Sequence, residues 1–128
     1  WLNQSIFAVK QDTKILDQYI LVKGAESLRT SFDKHELDPE SIDHVLAHIS
    51  SGYFKEGLKN EFANVGLDFP WEKWFYNLSE VGNIGAGSIF IAVEQLMNSG
   101  KLKKGEKILL CVPESGRFAY SCALLTVC

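Results

Sequence analysis

Strand-like and helix-like segments alternate regularly along this chain, and this alternation is the feature that most restricts its fold. Short apolar segments separate longer ones in which apolar residues recur at helical spacing. The predicted order is a strand at 5–9, a helix at 12–34, a strand at 42–48, a helix at 52–64, a strand around 74–77, a helix at 85–99, and strands at 107–113 and 117–127. Such alternation predicts a mainly parallel sheet with helices on both faces. The short link between the last two strands predicts one antiparallel strand.

Local signals support several of these boundaries. Asp12 can cap the first helix, and Pro39 suits a first-turn position after the LDPES stretch. Ser50 or Ser51 can cap the second helix, and Gly100 is placed to end the third.

Size, composition and charge restrict the class of protein. The 128 residues suit one domain, 1–128, and a hydrophobic content of 46% is enough for a core. The net charge of −3 argues against a general nucleic-acid binder, which needs a basic face. No apolar run approaches the roughly 20 residues of a membrane-spanning helix. The chain opens on Trp1 without a signal peptide, and we expect it to be part of something longer.

The three cysteines, Cys111, Cys122 and Cys128, all lie in apolar, strand-like sequence. Their count is odd and no C-x-x-C pair is present, so a metal or redox motif is not indicated. We expect buried free thiols in a reducing compartment. The alternative is a nucleophilic role for Cys111 or Cys122, for which the fold would have to supply a base.

His48 and Asn83 are the residues most suited to chemistry. His48 ends a strand predicted to be buried, and Asn83 lies in a glycine-bounded turn that follows the next strand. In open α/β sheets functional groups gather where strands end, so the two side chains could meet. The alternative is a structural or surface histidine. His35 and His44 are weaker candidates for a site residue than His48.

The turn at 82–88, GNIGAGS, concentrates glycines at 82, 85 and 87. The pattern is not G-x-G-x-x-G, and no Lys-Ser/Thr pair follows, so a nucleotide phosphate site is disfavoured. The small residues either let the following helix approach the sheet closely or present the Asn83 amide in a site.

Aromatic and basic clusters give further candidates. The aromatic residues at 71–76 predict core or a dimer contact, with the wall of an acyl pocket as the alternative. Lys55 and Lys59 share one helix face and could meet an acidic partner. Together with Ser51, they are candidate contacts to a substrate or carrier.

Four stretches carry a family resemblance: VLAH (45–48), VGNIGAGS (81–88), SGKLKKGEKILL (99–110) and SGRFAYSCALL (115–125). They resemble the C-terminal half of a β-ketoacyl-acyl-carrier-protein synthase III, of the thiolase superfamily. The resemblance implies a three-layer α/β/α half with a mixed five-stranded sheet and one antiparallel strand. It also implies a decarboxylative Claisen condensation of an acyl thioester with a malonyl thioester, which would make the protein an acyltransferase.

The resemblance assigns roles by position. His48 and Asn83 would bind the malonyl thioester carbonyl while carbon dioxide leaves, and the backbone N–H of Gly116 would help the oxyanion hole. The nucleophilic cysteine belongs to the family's N-terminal half and would lie before Trp1. The chain alone is therefore expected to be inactive.

The resemblance also implies the partners. Acyl-coenzyme A and malonyl-acyl-carrier protein would be the substrates, and no cofactor or metal would be permanently bound. The remaining partners would be acyl-carrier protein, the chain's own N-terminal domain and a second copy in a homodimer, in the cytoplasm.

Two departures from the family pattern leave the substrate open. Ile49-Ser50-Ser51 replaces the usual Gln-Ala-Asn, and Ser115-Gly116-Arg117 replaces a glycine triplet. The product could belong to fatty-acid, specialised lipid or polyketide biosynthesis. The rival readings are an acyltransferase without condensation and a non-catalytic module that binds acyl-carrier protein or dimerises.

Overall fold

Helix α1, Thr13–Lys34, is the first element in the computed structural model, which describes residues 11–128. Its N-terminus is capped as predicted, because the Asp12 carboxylate accepts hydrogen bonds from the N–H groups of Lys14, at 3.0 Å, and Ile15, at 3.2 Å. One side of the helix is buried along its length, at Ile20, Ala25, Leu28 and Phe32. The strand predicted at 5–9 lies outside the described residues.

The remaining elements follow in nearly the predicted order. They are β1 (His44–Ala47), α2 (Phe54–Asn64), α3 (Leu78–Val81), α4 (Ser88–Asn98), β2 (Lys107–Glu114) and β3 (Ala119–Thr126). Single 3₁₀ turns occupy Pro39–Ser41, Trp71–Lys73 and Gly85–Gly87. The third predicted helix therefore becomes α-helical only at Ser88, and the short helix α3 was not predicted.

The strand predicted around 74–77 is reduced to a single parallel bridge between Val45 and Trp74. The N–H of Phe75 donates to the carbonyl oxygen of Val45 at 3.0 Å, so this segment does lie beside β1. Only residues 74–77 lie between the 3₁₀ turn that ends at Lys73 and α3, and Asn77, at φ −130° and ψ 9°, already leaves the extended conformation.

The sheet is mixed, with the strand order β1-β2-β3. β1 and β2 are parallel, with Val45 opposite Leu109, and β2 and β3 form an antiparallel hairpin, with Cys111 opposite Cys122. Residues 11–128 contain three of the five predicted strands. The other two are the segment reduced to a bridge and the one that precedes the described residues.

Helices cover both faces of this sheet. Successive residues of a strand point to opposite faces, so Val45 and Leu109 face α1 and α2, whereas Leu46 and Ile108 face α4. On the first face the sheet packs against a large cluster that includes Leu28, Phe32, Leu58 and Phe62. On the second it packs against Ile89, Ala92 and Leu96. The predicted three-layer α/β/α arrangement is confirmed.

The aromatic residues of 71–76 mostly line the core, as predicted. Trp74 stacks on Phe62, with ring centroids 5.7 Å apart, and on Tyr76, at 5.6 Å. The Trp74 indole N–H donates to the carbonyl oxygen of Phe69 at 2.9 Å, which satisfies its buried polar atom.

Polar contacts join the start of β1 to the start of β2. The N–H of Lys107 donates to Oδ2 of Asp43 at 2.8 Å, and the N–H of Asp43 donates to the carbonyl oxygen of Lys107 at 3.0 Å. Beside them, Nε2 of His44 lies 3.0 Å from Oε2 of Glu106. These contacts fix the parallel register that places the end of β1. Among residues 11–128, no helix is both long and apolar enough to cross a membrane.

Candidate active site

His48 lies directly after β1, at the carboxyl end of the parallel pair. Its backbone N–H donates to the carbonyl oxygen of Cys111 at 2.8 Å, which extends the ladder by one residue and fixes the position of His48 against β2. The side chain is half-buried, and desolvation by burial lowers the pKa of His48. A lowered pKa favours the neutral imidazole, which has one ring N–H to donate and one nitrogen to accept.

Asn83 lies in a tightly bonded turn between α3 and α4. Its side-chain Oδ1 accepts a hydrogen bond from the N–H of Gly85 at 2.9 Å, and the N–H of Ile84 donates to Oγ of Ser88 at 3.1 Å. Of the two ends of the Asn83 amide only the oxygen can accept from a backbone N–H, so this contact sets the amide orientation. The NH₂ end of the exposed Asn83 side chain is thus the end left to donate to an incoming acceptor.

The chain direction at this turn requires a glycine before Asn83. Gly82 has φ 77° and ψ 178°, a region of backbone conformation that only glycine adopts readily. Free space surrounds the position where a Cβ would lie at Gly82, so the requirement comes from the backbone angles and not from crowding.

The fold brings the turn and the end of β1 to one cleft. His48, Gly82 and Ser88 line a small depression together with Tyr76 and Asn77. Asn83 immediately follows Gly82, but Asn83 itself is not among the residues that line this depression. The expectation that His48 and Asn83 could meet placed each of them after a strand. A strand, β1, does precede His48, but the helix α3 precedes the Asn83 turn.

His48 also borders a second, larger cleft on the other side. This cleft has a volume of about 180 Å³ and lies between α1, α2 and the sheet. Its polar lining includes His48, Ser50, Ser115, Tyr120 and the two cysteines of the hairpin. Its apolar lining comes mainly from the two helices. The histidine is therefore accessible from two clefts of different size.

Gly116 lies in the turn between β2 and β3, and its N–H already has an acceptor. It donates to Oε1 of Glu114 at 2.6 Å, and the N–H of Arg117 donates to Oε2 of the same carboxylate at 3.0 Å. The neighbouring Ser115 lines the larger cleft beside His48. Sequence reasoning missed Glu114, because nothing in its spacing alone signals that it caps the turn.

The three candidate contacts to a substrate or carrier lie around the start of α2. Oγ of Ser51 accepts from the N–H of Tyr53 at 3.2 Å. Nζ of Lys55 lies 4.9 Å from the centre of the Trp71 ring, within range of a cation–π contact. Nζ of Lys59 forms an ion pair with Oδ1 of Asp68 at 2.7 Å. The fold therefore groups the two lysines, but Lys59 has its charge paired within the chain.

The expectation that all three cysteines are buried is wrong for two of them. Cys111 is buried, whereas Cys122 and Cys128 are exposed. Cys122 belongs to β3, which lies at the end of the strand order and has a neighbour on one side only within residues 11–128. All three are free thiols, as expected. In the same part of the chain, no three His, Cys, Asp or Glu side chains are grouped to hold a metal ion.

Comparison with known proteins identifies the family. The family model described as 3-oxoacyl-[acyl-carrier-protein (ACP)] synthase III C terminal matches residues 32–127. The β-ketoacyl-[acyl-carrier-protein] synthase III of Koribacter versatilis is 27% identical over 115 residues, which are 90% of this chain and 33% of that protein. The chain thus spans about a third of the length of such relatives.

Solved structures agree with the sequence comparison. The 3-oxoacyl-[acyl-carrier-protein] synthase III of Aquifex aeolicus superposes with a TM-score of 0.75 at 27% identity, over 91% of this chain and 36% of that one. OleA from Xanthomonas campestris gives a TM-score of 0.72 at 26% identity, over 91% of this chain and 32% of that one. The extent of the family match and the shared architecture lead to one conclusion: the chain belongs to the 3-oxoacyl-[acyl-carrier-protein] synthase III family, as its C-terminal, thiolase-like α/β part.

Proposed function

We propose that this chain supplies the C-terminal half of the active site of a condensing enzyme. The reaction is a decarboxylative Claisen condensation between an acyl thioester and a malonyl thioester, in fatty-acid or related lipid or polyketide biosynthesis. The observation that supports the proposal is that His48, whose pKa is lowered by burial, lines one depression with Gly82, the residue next to the oriented Asn83 amide.

The role of these two groups follows from where charge develops. When the malonyl carboxylate leaves as carbon dioxide, its bonding electrons move to the neighbouring carbon, and the thioester becomes an enolate. The negative charge is shared by the former carbonyl oxygen. An N–H from His48 and one from Asn83, directed at this oxygen, stabilise the transition state more than the neutral thioester. The enolate carbon then attacks the carbonyl carbon of the acyl thioester, whose carbon–sulfur bond breaks, and the sulfur leaves as a thiolate.

A neutral imidazole suits this role. The half-buried position of His48 disfavours the protonated ring, so the side chain donates a hydrogen bond without holding a full positive charge beside the substrate. The Gly85 N–H keeps the Asn83 oxygen away from the enolate and leaves its NH₂ for the substrate. The Asn83 donor is thus oriented before a substrate arrives, and the backbone of His48 is held by the carbonyl oxygen of Cys111.

The remaining parts of the reaction are assigned to regions outside this chain. An N-terminal domain would supply the cysteine that takes the acyl group from acyl-coenzyme A, so the chain alone would not condense substrates. Malonyl-acyl-carrier protein would be the second substrate, and Ser51 and Lys55 remain candidates for contacts to it. A homodimer in the cytoplasm is the expected form of the full-length enzyme.

Of the three proposed oxyanion donors, the backbone N–H of Gly116 is the least available to a substrate. Its N–H donates to Glu114, so it would reach a substrate oxygen only after that carboxylate turns away. The proposal therefore gives decarboxylation to His48 and Asn83. Gly116 would act in the later step at the acyl group.

The test follows carbon dioxide release from carboxyl-labelled malonyl thioester by the full-length protein. His48→Ala and Asn83→Ala should each slow the release on the order of 10²–10³-fold, the usual effect of losing one oxyanion donor. His35→Ala and Asn60→Ala are the matched controls, because they remove the same side chains from two exposed positions, one directly after α1 and one in α2. Both controls should keep the rate of the unchanged protein.

Each other outcome has a definite meaning. Release that is unchanged in both site variants would show that these residues are wrongly assigned. If the unchanged protein released no carbon dioxide but moved the acyl group between thiols, it would be an acyltransferase without condensation. Neither activity in the full-length protein would leave a non-catalytic binding or dimerisation module.

A further inference from the structure

Cys111 and Cys122 lie directly opposite each other in the antiparallel hairpin of β2 and β3. Directly opposed residues of an antiparallel pair point to the same face of the sheet. On this face Leu109 and Leu124 pack against the α1–α2 cluster, and the Tyr120 hydroxyl donates to the carbonyl oxygen of Ile20 at 2.8 Å. The two thiols therefore share one surface of the sheet, beneath α1.

The strand geometry already suits a bond between the two sulfurs. Opposed residues in antiparallel strands have Cα atoms about 4.5 or 5.5 Å apart, depending on the hydrogen-bonding position. Both values fall within the range of about 4.4–6.8 Å that disulfides span. Closing the bond would require side-chain rotation and no change in the register of the hairpin.

The two thiols differ in exposure and in acidity. Cys122 is exposed and Cys111 is buried. The thiol of Cys111 acts as a donor to the sulfur of Cys122, and this lowers the pKa of Cys122. The same interaction, burial and the charge of Cys122 raise the pKa of Cys111. Cys122 is thus suited to react first with an external reagent, and Cys111 to react second from within.

We propose that Cys111 and Cys122 form a reversible dithiol site that is oxidised by low-molecular-weight disulfides such as oxidised glutathione. The Cys122 thiolate attacks one sulfur of the external disulfide, which breaks its S–S bond and releases one thiolate. Cys111 then loses its proton and attacks the Cys122 sulfur of the mixed disulfide, which releases the second thiol. In total, two protein thiols are oxidised to a disulfide and one external disulfide is reduced to two thiols.

The site opens into the larger cleft. Cys111 and Cys122 line it together with His48, Ser115 and Tyr120. The mixed disulfide would therefore attach a bulky group to a residue that lines the same cleft as His48. This inference rests on the hairpin register and on the exposure of Cys122, so it stands or fails independently of the proposed condensation.

The test is peptide mapping of the full-length protein after incubation with graded ratios of oxidised to reduced glutathione. Trypsin cleaves after Lys107 and Arg117, so Cys111 lies in the peptide 108–117 and Cys122 in the peptide that begins at Phe118. Oxidation should join these two peptides, with the loss of two hydrogen atoms from their summed mass. The link should disappear completely on reduction.

Variants identify which sulfurs take part. Cys122→Ser should abolish the link. Cys111→Ser should replace it with a glutathione adduct on the peptide that begins at Phe118, because no second thiol remains opposite Cys122. Cys128→Ser is the matched control: it removes the other exposed thiol of the same peptide and should leave the link and its midpoint ratio unchanged. Thermal melts of the reduced variants check that each one is folded.

Two results would overturn the proposal. The first is a link that survives in Cys122→Ser, since Cys128 would then be the partner of Cys111. The second is the absence of any link at ratios that already attach glutathione to Cys128 in the folded protein.

Discussion

At the scale of the residue, the Asn83 turn shows how backbone conformation prepares a side chain for chemistry. Gly82 turns the chain with a positive φ, the Gly85 N–H holds the Asn83 oxygen, and Ser88 holds the next N–H. These contacts were only partly predictable. Glycine spacing indicated a special turn, but which hydrogen bonds close it depends on dihedral angles that the sequence does not state.

Replacing Gly82 with alanine should therefore affect both the fold and the site. At φ 77° and ψ 178° an alanine is strained, and we expect a loss of about 1–3 kcal/mol in the free energy of unfolding. Since no atom crowds the position, this loss comes from the backbone. Chemical denaturation measures it, and malonyl decarboxylation by the full-length protein should fall as well.

Gly52→Ala is the matched control for that variant. A Cβ at Gly52 also meets open space, but the residue does not have the positive φ of Gly82. The control should keep nearly the full stability. An equal loss in the two variants would mean that the Gly82 conformation is not what matters.

The contrast between His48 and Gly116 belongs to the same scale. The position of His48 could be predicted because it depends on where one strand, β1, ends. The bonding of Gly116 could not, because Glu114 reaches back within a turn whose shape includes Phe118 at φ 54°. A non-glycine residue at positive φ leaves no clear signal in a single sequence.

At the scale of the element, β1 is a short strand that lies between two helical layers. It has only four residues, yet its two sides contact different helical layers. Its prediction from a short apolar run, at 42–48, was accurate in place and three residues too long, because a run of apolar residues does not show where the ladder stops. The segment after Lys73 was misread as a strand for a related reason: its aromatic residues suit a strand but pack as a cluster beside one.

The burial of Leu46 gives a prediction at this scale. Its side chain is 1% exposed and packs from β1 against the apolar residues of α4. Leu46→Ala should cost about 2–5 kcal/mol in the free energy of unfolding, from lost burial and the cavity left behind. Urea denaturation measures this change.

The control for Leu46 lies on α4 itself. Met97 is large, apolar and 63% exposed, so Met97→Ala should change stability by no more than about 0.5 kcal/mol. If the two substitutions cost the same, α4 would not be packed on the sheet as described.

At the scale of the whole molecule, the contacts between the starts of β1 and β2 predict a dependence of stability on pH. Hydrogen bonds from the Lys103 N–H and from His44 lower the pKa of Glu106 below its ordinary value of 4.5. A carboxylate with a lowered pKa stabilises the fold above the pKa of the unfolded chain. That contribution disappears as the pH falls through the lower, folded-state pKa.

Glu106→Gln should therefore make the protein less sensitive to acid. The urea midpoint of the unchanged protein should fall on acidification below about pH 4.5, and the fall should be smaller in the variant, whose amide does not titrate. Glu72→Gln, at an exposed position, should retain the full fall. An equal fall in Glu106→Gln and in the unchanged protein would contradict the assignment.

The layered architecture was the most predictable property of the whole molecule, because it follows from the alternation of elements and needs no exact contact. The surfaces were less predictable. Phe90 on α4 is 74% exposed and Tyr53 before α2 is 73% exposed, although large apolar side chains in periodic segments are usually assigned to a core. Exposure of this kind depends on which other chain segments surround the sheet, and a single sequence does not state this.

The mixed sheet also has a consequence for the order of folding. The β2–β3 hairpin joins residues that are neighbours along the chain, whereas the parallel pairing joins Asp43 to Lys107, 64 positions apart. Closing so long a loop costs more conformational entropy, so we expect the hairpin to form first and β1 to dock late. His48 takes its place only through that late docking, because its N–H is held by β2. The dithiol pair would thus be assembled early in folding, and the histidine only near its end.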